Sequence, residues 1–338
     1  MNEGMIRVAP LLPSRQVLAR LGVDWGELLD ECGLHSDLFA HPDNPIAFGD
    51  LCRFVRLGAS ASRCEHFGLH LASEAGVATL GAVGHAALKG TQVGSVLAAM
   101  IRNLHLHDQG AVPFLTVDGG KASLGYVVAD YHPCGVSVVL DAAVGIIHRI
   151  VGSLCGPNWR PLEVRFARCA PRDVAPYREF FDVPLSFDAP YTGLVFKERD
   201  LHKRVQFARP PAAPPDVALT AVEQVTVPFP ILIRRLLPVL LVTQRCTVAD
   251  AADLLDMHRR TLNRRLQAMG ATFRDLADEA AYVRARQLLA ETDMPLAKIA
   301  NAMGYAEVST FSRRFRHRSG MSPGRWRKQS RHEFAVPS

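Results

Sequence analysis

The sequence predicts a multi-domain protein: an α+β domain followed by an all-α domain with two helix-turn-helix units joined by a long helix. Three observations support this fold class. The chain has 338 residues, which suits two domains better than one. A proline-rich stretch, RPPAAPPD, interrupts it, and beyond that stretch one helical pattern is written twice. We therefore divide the chain into residues 1–208, a linker at residues 209–216 and residues 217–338.

Residues 1–208 change between a helical and an alternating spacing of apolar side chains. Helices are predicted at residues 16–21, 25–31, 49–61, 91–106 and 136–154. Residues 111–117 and 122–129 alternate as strands do, and Asp118-Gly119-Gly120 between them favours a hairpin turn because glycine accepts positive φ. Further short strands are predicted at residues 163–167, 185–188 and 193–196. This mixture indicates an α+β domain.

The same domain shows no pattern that predicts catalysis, a cofactor or a metal site. His105 and His107 alternate as strand neighbours do, and His66 and His70 are four residues apart. Two histidines do not complete a metal site, and nothing at a suitable spacing supplies other ligands. We expect these histidines to pack or to line a pocket for an unknown ligand. The seven cysteines lack any CxxC pair, which is typical of buried thiols in a reducing compartment.

Positive charge is concentrated in the second domain. Residues 1–215 contain 20 Lys and Arg against 21 Asp and Glu, a net of −1, whereas residues 216–338 contain 19 against 12, a net of +7. Of these 19 cations only Lys298 and Lys328 are lysine, and arginine can bind guanine edges and phosphates through paired hydrogen bonds. Charged runs are often only solvated helix faces, but their position on both repeated helices favours a nucleic-acid partner.

The repeat reads TVADAADLLDMHRRTLNRRL at residues 247–266 and PLAKIANAMGYAEVSTFSRRF at residues 295–315. Ala252 aligns with Ala300, and the second helices align at the same offset plus one residue. Each copy has a short helix, a turn and a second helix with polar outward positions, which is the plan of a helix-turn-helix. The units are expected at about residues 247–269 and 295–319.

In the first unit, Thr247 and Asp250 match a capping box, so a helix is predicted to begin there. It is expected to bury Ala251, Ala252, Leu254 and Leu255. A turn at residues 256–258 leads to a second helix with Leu262 and Leu266 inward. Helical spacing then exposes three candidates for base contacts: Arg260, Asn263 and Arg264. Arg259 beside them is expected to contact phosphate.

In the second unit, Ile299, Ala300 and Met303 are expected inward, before a turn at Gly304-Tyr305. Phe311 and Phe315 anchor its second helix. The outward candidates for base contacts are Ser309, Ser312 and Arg313, and those for phosphate contacts are Thr310 and Arg316. For any single one of these residues, ordinary surface polarity is an equally good interpretation.

A helix predicted at about residues 273–291 connects the two units. At 1.5 Å per residue it is roughly 28 Å long, close to the ~34 Å repeat of B-DNA. One rigid chain could therefore place two reading helices in successive major grooves.

The segment from about residue 232 to residue 327 resembles the DNA-binding domain of the AraC/XylS family of bacterial transcription regulators. LLDMHRRTLNRRLQAMGATF and RQLLAETDMPLAKIANAMGYAEVSTFSRRFRHRSGMSPGRWR carry the resemblance. It implies two helix-turn-helix units per chain and base contacts at the six residues named above. The stretches FGLHLASEA, TLGAVGHAALKGTQVGSVLAAMIRNLHLH and WRPLEVRFARCAPRDVAPYREFFDVPLSFDAPYTGLVF resemble the arabinose-binding-like regulatory domain of that family, which implies a sensor or dimerisation domain.

Together these features predict a cytoplasmic regulator that is not an enzyme. Its expected partners are promoter DNA, a small-molecule effector in the N-terminal domain, a second copy of the chain and, for an activator, RNA polymerase. No bilayer-spanning run is expected, since Arg234, Arg235 and Pro238 interrupt the most apolar stretch and Asp141 the next. The N-terminal domain could instead be a ligand-free dimerisation or protein-interaction module, or an enzyme fused to a DNA-binding domain.

Overall fold

The computed structural model describes residues 4–129, 135–206 and 228–334, with side chains as far as residue 330. The predicted linker at residues 209–216 lies outside the described residues. On either side of it the chain forms the two predicted kinds of fold, an α+β domain and an all-α domain.

The described part of the N-terminal domain mixes short helices with two sheets. In chain order its elements are β1 (Met5–Arg7), α1 (Ser14–Arg20), α2 (Trp25–Cys32), β2 (Pro45–Ala47), α3 (Phe48–Ala61), α4 (Phe67–Ser73), α5 (Gly81–Ala87), α6 (Val93–Asn103), β3 (Ala111–Asp118), β4 (Lys121–Val128), α7 (Val136–Cys155), β5 (Glu163–Arg165), α8 (Ala175–Phe181), β6 (Leu185–Ser186) and β7 (Thr192–Lys197). Each helix and strand predicted for this domain has a counterpart here, with ends shifted by up to three residues.

The larger sheet has five strands in the order β3-β4-β7-β5-β6, and only the β5-β6 pair is parallel. The β3-β4 hairpin has a two-residue turn between Asp118 and Lys121, with φ of +54° at Gly119 and +74° at Gly120. Two consecutive positive φ angles match the twist of antiparallel strands, which is why two glycines suit this turn. The smaller sheet pairs β1 with β2.

Helix α7 is the central helix of this domain and packs closely against α4. An added Cβ on Gly68 of α4 would lie 2.4 Å from the Val138 carbonyl oxygen, and one on Gly145 would lie 2.5 Å from the Ala72 Cβ. The 20-residue α7 is also long and apolar enough to cross a bilayer, so the expectation that no run reaches that length was wrong. More than half of its most apolar stretch is buried inside the domain, which is typical of the core helix of a globular protein.

The described part of the C-terminal domain consists of helices joined by short connections. Its elements are α9 (Phe229–Val242), α10 (Val248–Leu254), α11 (Arg259–Ala268), α12 (Phe273–Glu291), α13 (Leu296–Ala302), α14 (Val308–Ser319) and α15 (Pro323–Phe334). Helices α10 and α11 form the first predicted unit, α12 is the connecting helix, and α13 and α14 form the second unit. The predicted bounds of the connecting helix, residues 273–291, agree with those of α12.

Each unit has its own apolar core, and α12 contributes to both. Ala251, Ala252, Leu262 and Leu266 pack with Phe273 of α12 in the first. In the second, the predicted inward residues pack against the far end of α12: Ile299, Ala300, Met303, Phe311 and Phe315. The expectation that Leu254 is buried was wrong, because it is 53% exposed, and Leu255 is only partly buried.

The two domains contact each other on the face of the larger sheet and at the end of α12. Val239 and Val242 of α9 pack against an apolar cluster on the larger sheet that includes Phe114 and Tyr191. At the C-terminal end of α12, the Cys169 amide donates to the Glu291 carbonyl at 2.6 Å, and the Asp293 amide donates to Asp188 Oδ1 at 2.6 Å. The helical domain is therefore held against the face and the loops of the sheet.

Candidate functional site

Both predicted turns have the same backbone hydrogen bond. The Met257 amide donates to the Ala252 carbonyl in the first unit, and the Tyr305 amide donates to the Ala300 carbonyl in the second, each at 2.9 Å. The residue before each amide has positive φ, +49° at Asp256 and +80° at Gly304. The sequence repeat is thus a structural repeat down to its turn.

The first candidate reading helix is α11. Its N-cap is His258, whose Nδ1 accepts a hydrogen bond from the Arg260 amide at 3.3 Å. Leu262 and Leu266 are buried against the rest of the unit. The predicted base-contact residues Arg260, Asn263 and Arg264 are exposed, as is the predicted phosphate contact Arg259.

The second candidate reading helix is α14, which Phe311 and Phe315 fix to the core. Ser309, Arg313 and Arg316 are exposed, whereas Thr310 and Ser312 are partly buried. The Ser309 hydroxyl donates to Glu307 at 3.0 Å, so part of its hydrogen-bonding capacity is used within the helix end. All six base-contact candidates therefore have at least part of their surface on the outside of the molecule, and their contact with DNA stays a prediction.

Other arginines of the two reading helices are held by the protein. Arg314 donates to both oxygens of Asp278 on α12, at 2.7 and 2.5 Å, and Arg318 lies 3.9 Å from Glu279 on the same helix. In the first unit, the Arg265 guanidinium lies over the Phe229 ring at 5.4 Å. These contacts fix how α14 and α11 sit on the domain.

By contrast, the predicted DNA-contacting arginines have no carboxylate partner within the described part of the chain: Arg259, Arg260, Arg264, Arg313 and Arg316. An unpaired, solvated guanidinium can be transferred to a phosphate or a guanine edge without first breaking an ion pair. The arginines of the first group therefore hold the reading helices in place, and those of the second group are available to bind a polyanion.

The N-terminal domain has a cavity of about 120 Å³, to which α6, α7 and the β3-β4 hairpin contribute lining residues. Its wall is almost entirely apolar, with side chains such as Leu97, Met100, Ile146 and Val151. The sequence did not predict this cavity, because its wall combines residues that are up to 145 positions apart.

The polar groups of the cavity wall include His107, Asp108 and Tyr126. Asp108 accepts hydrogen bonds from the Gly110 amide at 2.8 Å, the Ala111 amide at 3.3 Å and the Tyr126 hydroxyl. Burial raises the pKa of Asp108 to about 7, and burial lowers the pKa of His107 to about 4, so the imidazole is neutral at pH 7.

The predicted strand-like alternation of His105 and His107 was wrong, because a short 3-10 helix covers Leu104–Leu106 after α6 ends. The prediction that such histidines line a pocket is confirmed for His107. This end of the cavity lies next to the other domain: Arg235 of α9 is buried and donates from Nη1 to the Asp108 carbonyl oxygen at 3.0 Å.

The second histidine pair has a third possible ligand nearby. The ligand atoms of Cys64, His66 and His70 all lie within 4.8 Å of one another, at the start of α4. The expectation that nothing at a suitable spacing supplies a further ligand was therefore wrong for this pair, because Cys64 supplies one. The signal was present in the spacing CxHxxxH, since Cys64 precedes His66 by only two residues.

The six described cysteines form no disulfide with one another, and Cys134 lies outside the described residues. Four of them are buried, namely Cys32, Cys52, Cys64 and Cys155. Cys169 and Cys246 are partly exposed, so the expectation of burial holds for most of them but not all.

Residues 22–205 match the family model described as the arabinose-binding domain of AraC transcription regulator, N-terminal, and residues 251–329 match the model of a helix-turn-helix domain. The chain is 32% identical over 300 residues to the HTH-type transcriptional regulator VirS of Mycobacterium tuberculosis, covering 83% of this chain and 85% of that protein. It is 25% identical over 327 residues to the ornithine utilization regulator of Pseudomonas aeruginosa, covering 92% and 93%.

Among solved structures, the transcriptional regulator CdpR from Pseudomonas aeruginosa aligns over 94% of this chain and 96% of its own. The sequence identity of that alignment is 19% and its TM-score is 0.42.

Proposed function

Because the chain belongs to the AraC family of DNA-binding transcription regulators, we propose that α11 and α14 read two successive major grooves of promoter DNA. In this proposal Arg260, Asn263 and Arg264 contact bases in one groove. Ser309, Ser312 and Arg313 contact bases in the next. Arg259, Thr310 and Arg316 bind phosphates beside them.

The observation that carries this proposal is the repeated helix-turn-helix with unpaired arginines on both reading helices. Arginine and asparagine match guanine and adenine edges through two hydrogen bonds each, and such a contact discriminates by ~1 to 3 kcal/mol. Helix α12, which belongs to both cores, fixes the spacing of the two units.

Footprinting of the full chain on promoter fragments, followed by affinity measurements on single-base variants, tests the proposal. Arg313→Ala should relax the preference at one base position by ~1 to 3 kcal/mol. Arg316→Ala should weaken all sequences alike and lower the slope of log affinity against log salt by about 1.

Arg314→Ala is the matched control, one residue away on the same helix but held by Asp278. It should change affinity for all sequences by a common factor and leave base preference intact. The assignment of Arg313 fails if its substitution also lowers affinity uniformly, and the proposed function fails if no fragment is protected.

We further propose that the N-terminal domain binds a small-molecule effector and forms the homodimer contact, and that the protein is a cytoplasmic regulator without catalytic activity. The cavity and the match to a regulatory-domain model support the effector, and the relatives named above carry the names of regulators. A ligand-free dimerisation module would instead show no thermal stabilisation by any metabolite. An enzyme would turn over its ligand and lose that turnover on replacement of His105 or His107. A contact with RNA polymerase is expected only if the protein activates.

A further inference from the structure

We infer that Cys64, His66 and His70 form a binding site for a transition-metal ion, and that this ion is Zn²⁺. The three residues lie at the start of α4, outside the wall of the cavity. The inference goes beyond the proposed function, because it requires neither the DNA contacts nor the effector.

The three side chains bring their ligand atoms close together. The Cys64 sulfur and one ring nitrogen each of His66 and His70 all lie within 4.8 Å of one another. Around a tetrahedral zinc ion with bonds of about 2.0 to 2.3 Å, neighbouring ligand atoms are ~3.3 to 3.8 Å apart. Movements of about 1 Å, which small side-chain rotations supply, would close the difference.

The packing of α4 turns both imidazoles toward solvent. Gly68 faces α7, where an added Cβ would lie 2.4 Å from the Val138 carbonyl oxygen. On a helix that turns about 100° per residue, the positions two before and two after Gly68 lie roughly 160° from it. His66 and His70 are therefore on the side of α4 opposite α7, and both are partly exposed. An ion can reach them from solvent.

Both imidazoles are available to a metal ion. Within the described residues neither ring forms a hydrogen bond or an ion pair with a carboxylate, and the two ring centroids are 4.9 Å apart. A neutral imidazole has one ring nitrogen without a proton, and that nitrogen can bind a metal. His66 and His70 therefore supply two nitrogen ligands without breaking a bond that they already make.

The turn between α3 and α4 holds Cys64 beside the histidines. Arg63 has a φ of +51°, and the Cys64 amide donates to the Ala59 carbonyl oxygen at 3.0 Å. Burial raises the pKa of the Cys64 thiol, so the side chain is protonated without a metal. Zinc binding would release this proton to solvent and form a bond between zinc and the thiolate sulfur.

The ligand chemistry favours zinc. Thiolate and imidazole are ligands that Zn²⁺ prefers, whereas Mg²⁺ and Ca²⁺ prefer oxygen. Three protein ligands leave one tetrahedral position open. Glu65, between Cys64 and His66, is directed elsewhere, because its carboxylate accepts a hydrogen bond from the Arg172 amide at 2.8 Å. Water is therefore the expected fourth ligand.

Titration of the metal-free full chain with Zn²⁺, with a phosphine reductant to keep Cys64 reduced, tests the inference. We expect about one equivalent of zinc to bind per chain and to raise the melting temperature. Co²⁺ in the same site should give the visible bands of a tetrahedral complex and a near-ultraviolet charge-transfer band from the thiolate. That band reports the sulfur ligand directly and does not depend on stability.

Cys64→Ser and His70→Gln should each weaken zinc binding at least about 100-fold, because loss of an outer-shell partner alone costs ~10-fold to 100-fold. Cys246→Ser and His35→Gln remove a thiol and an imidazole outside the cluster. These matched controls should change neither the zinc affinity nor the cobalt spectrum. Since His70 is partly exposed, His70→Gln tests the site even if Cys64→Ser does not fold.

The inference is overturned if the metal-free wild type binds no zinc, if its cobalt complex lacks the thiolate band, or if either cluster variant folds and keeps the wild-type affinity. None of these results bears on the DNA contacts, which footprinting tests separately.

Discussion

Asp108 holds its proton more tightly in the folded protein than in the unfolded chain, because burial raises its pKa from 3.8 to about 7. Its Arg235 neighbour and the amides of Gly110 and Ala111 lower the pKa but do not offset burial. As pH rises from about 4 to about 7, the unfolded chain loses this proton first. The contribution of Asp108 to stability therefore falls with rising pH, by at most ~1.4 kcal/mol per pH unit.

We predict that Asp108→Asn removes this contribution. The amide keeps an oxygen for the Gly110 and Ala111 amides and turns its NH₂ toward the Tyr126 oxygen, as a protonated carboxyl would. Urea unfolding between about pH 4.5 and pH 7.5 should show the variant gaining stability relative to the wild type as pH rises. Asp118→Asn in the exposed hairpin is the control, and a stability difference for Asp108→Asn that stays constant with pH would contradict the prediction.

The apolar identity of Leu254 does not by itself predict whether this residue is buried. On a helix that turns about 100° per residue, Leu254 lies about 110° from the midpoint between the buried Ala251 and Ala252. Leu255 lies close to that midpoint and is the partly buried one. The outward residues Arg260, Asn263 and Arg264 were placed by the same periodicity, which succeeded because α11 is longer and Leu262 and Leu266 fix its face.

At the scale of elements, the two turns differ in the residue that adopts positive φ. The second unit has Gly304 there, whereas the first has Asp256. Glycine has no Cβ to oppose this conformation, and aspartate is among the few other residues that tolerate it. The fold of each unit depends on this turn, because it sets the angle between its two helices.

We predict that Gly304→Ala lowers the free energy of unfolding by about 1 kcal/mol, although nothing lies within 4 Å of the added Cβ, because alanine is strained at this φ. Gly324→Ala in α15 is the matched control: its surroundings are equally open, but its backbone is helical. That substitution should leave stability unchanged or raise it by about 0.5 kcal/mol. Equal losses at both positions would show that the turn conformation is not the cause.

The sequence predicted elements best where their signal was local. The capping pair Thr247 and Asp250 marked the start of α10, and two glycines marked the β3-β4 turn. The β1-β2 pair was missed because its strands have three residues each and their partners are about 40 positions apart. The cavity and the buried position of Arg235 depend on such distant contacts, and neither was predicted.

At the scale of the whole molecule, Arg284 joins the two domains. It lies on α12, is 3% exposed, donates to Gln287 at 2.5 Å and to the Pro190 carbonyl of the other domain, and has no carboxylate partner among the described residues. Burial lowers the pKa of Arg284 to about 10. An uncompensated charge at this position costs stability, and the hydrogen bond to the Pro190 carbonyl offsets part of that cost.

We predict that Arg284→Met uncouples the unfolding of the two domains. Methionine fills a similar volume and removes the buried charge, but leaves the Pro190 carbonyl without its donor, at a cost of about 1 to 3 kcal/mol to the contact. Scanning calorimetry should resolve two transitions where the wild type shows one. Arg286→Met on the same helix is the control, because Arg286 lies over Trp326 within its own domain at 4.8 Å. A wild type that already melts in two steps would rule out this coupling.

The hydrogen bonds from the Cys169 amide to the Glu291 carbonyl and from the Asp293 amide to the Asp188 carboxylate bear on how regulators of this kind can be recombined. In a chimera that joins a foreign sensor domain to this chain's C-terminal domain at residues 209–216, the loops of the foreign domain would pack against α12 of this chain. Such a hybrid is expected to bind its DNA site while losing its response to the proposed effector. Transferring this chain's loops at residues 168–170 and 188–190 into the foreign sensor should restore that response, because the hybrid already carries Arg284.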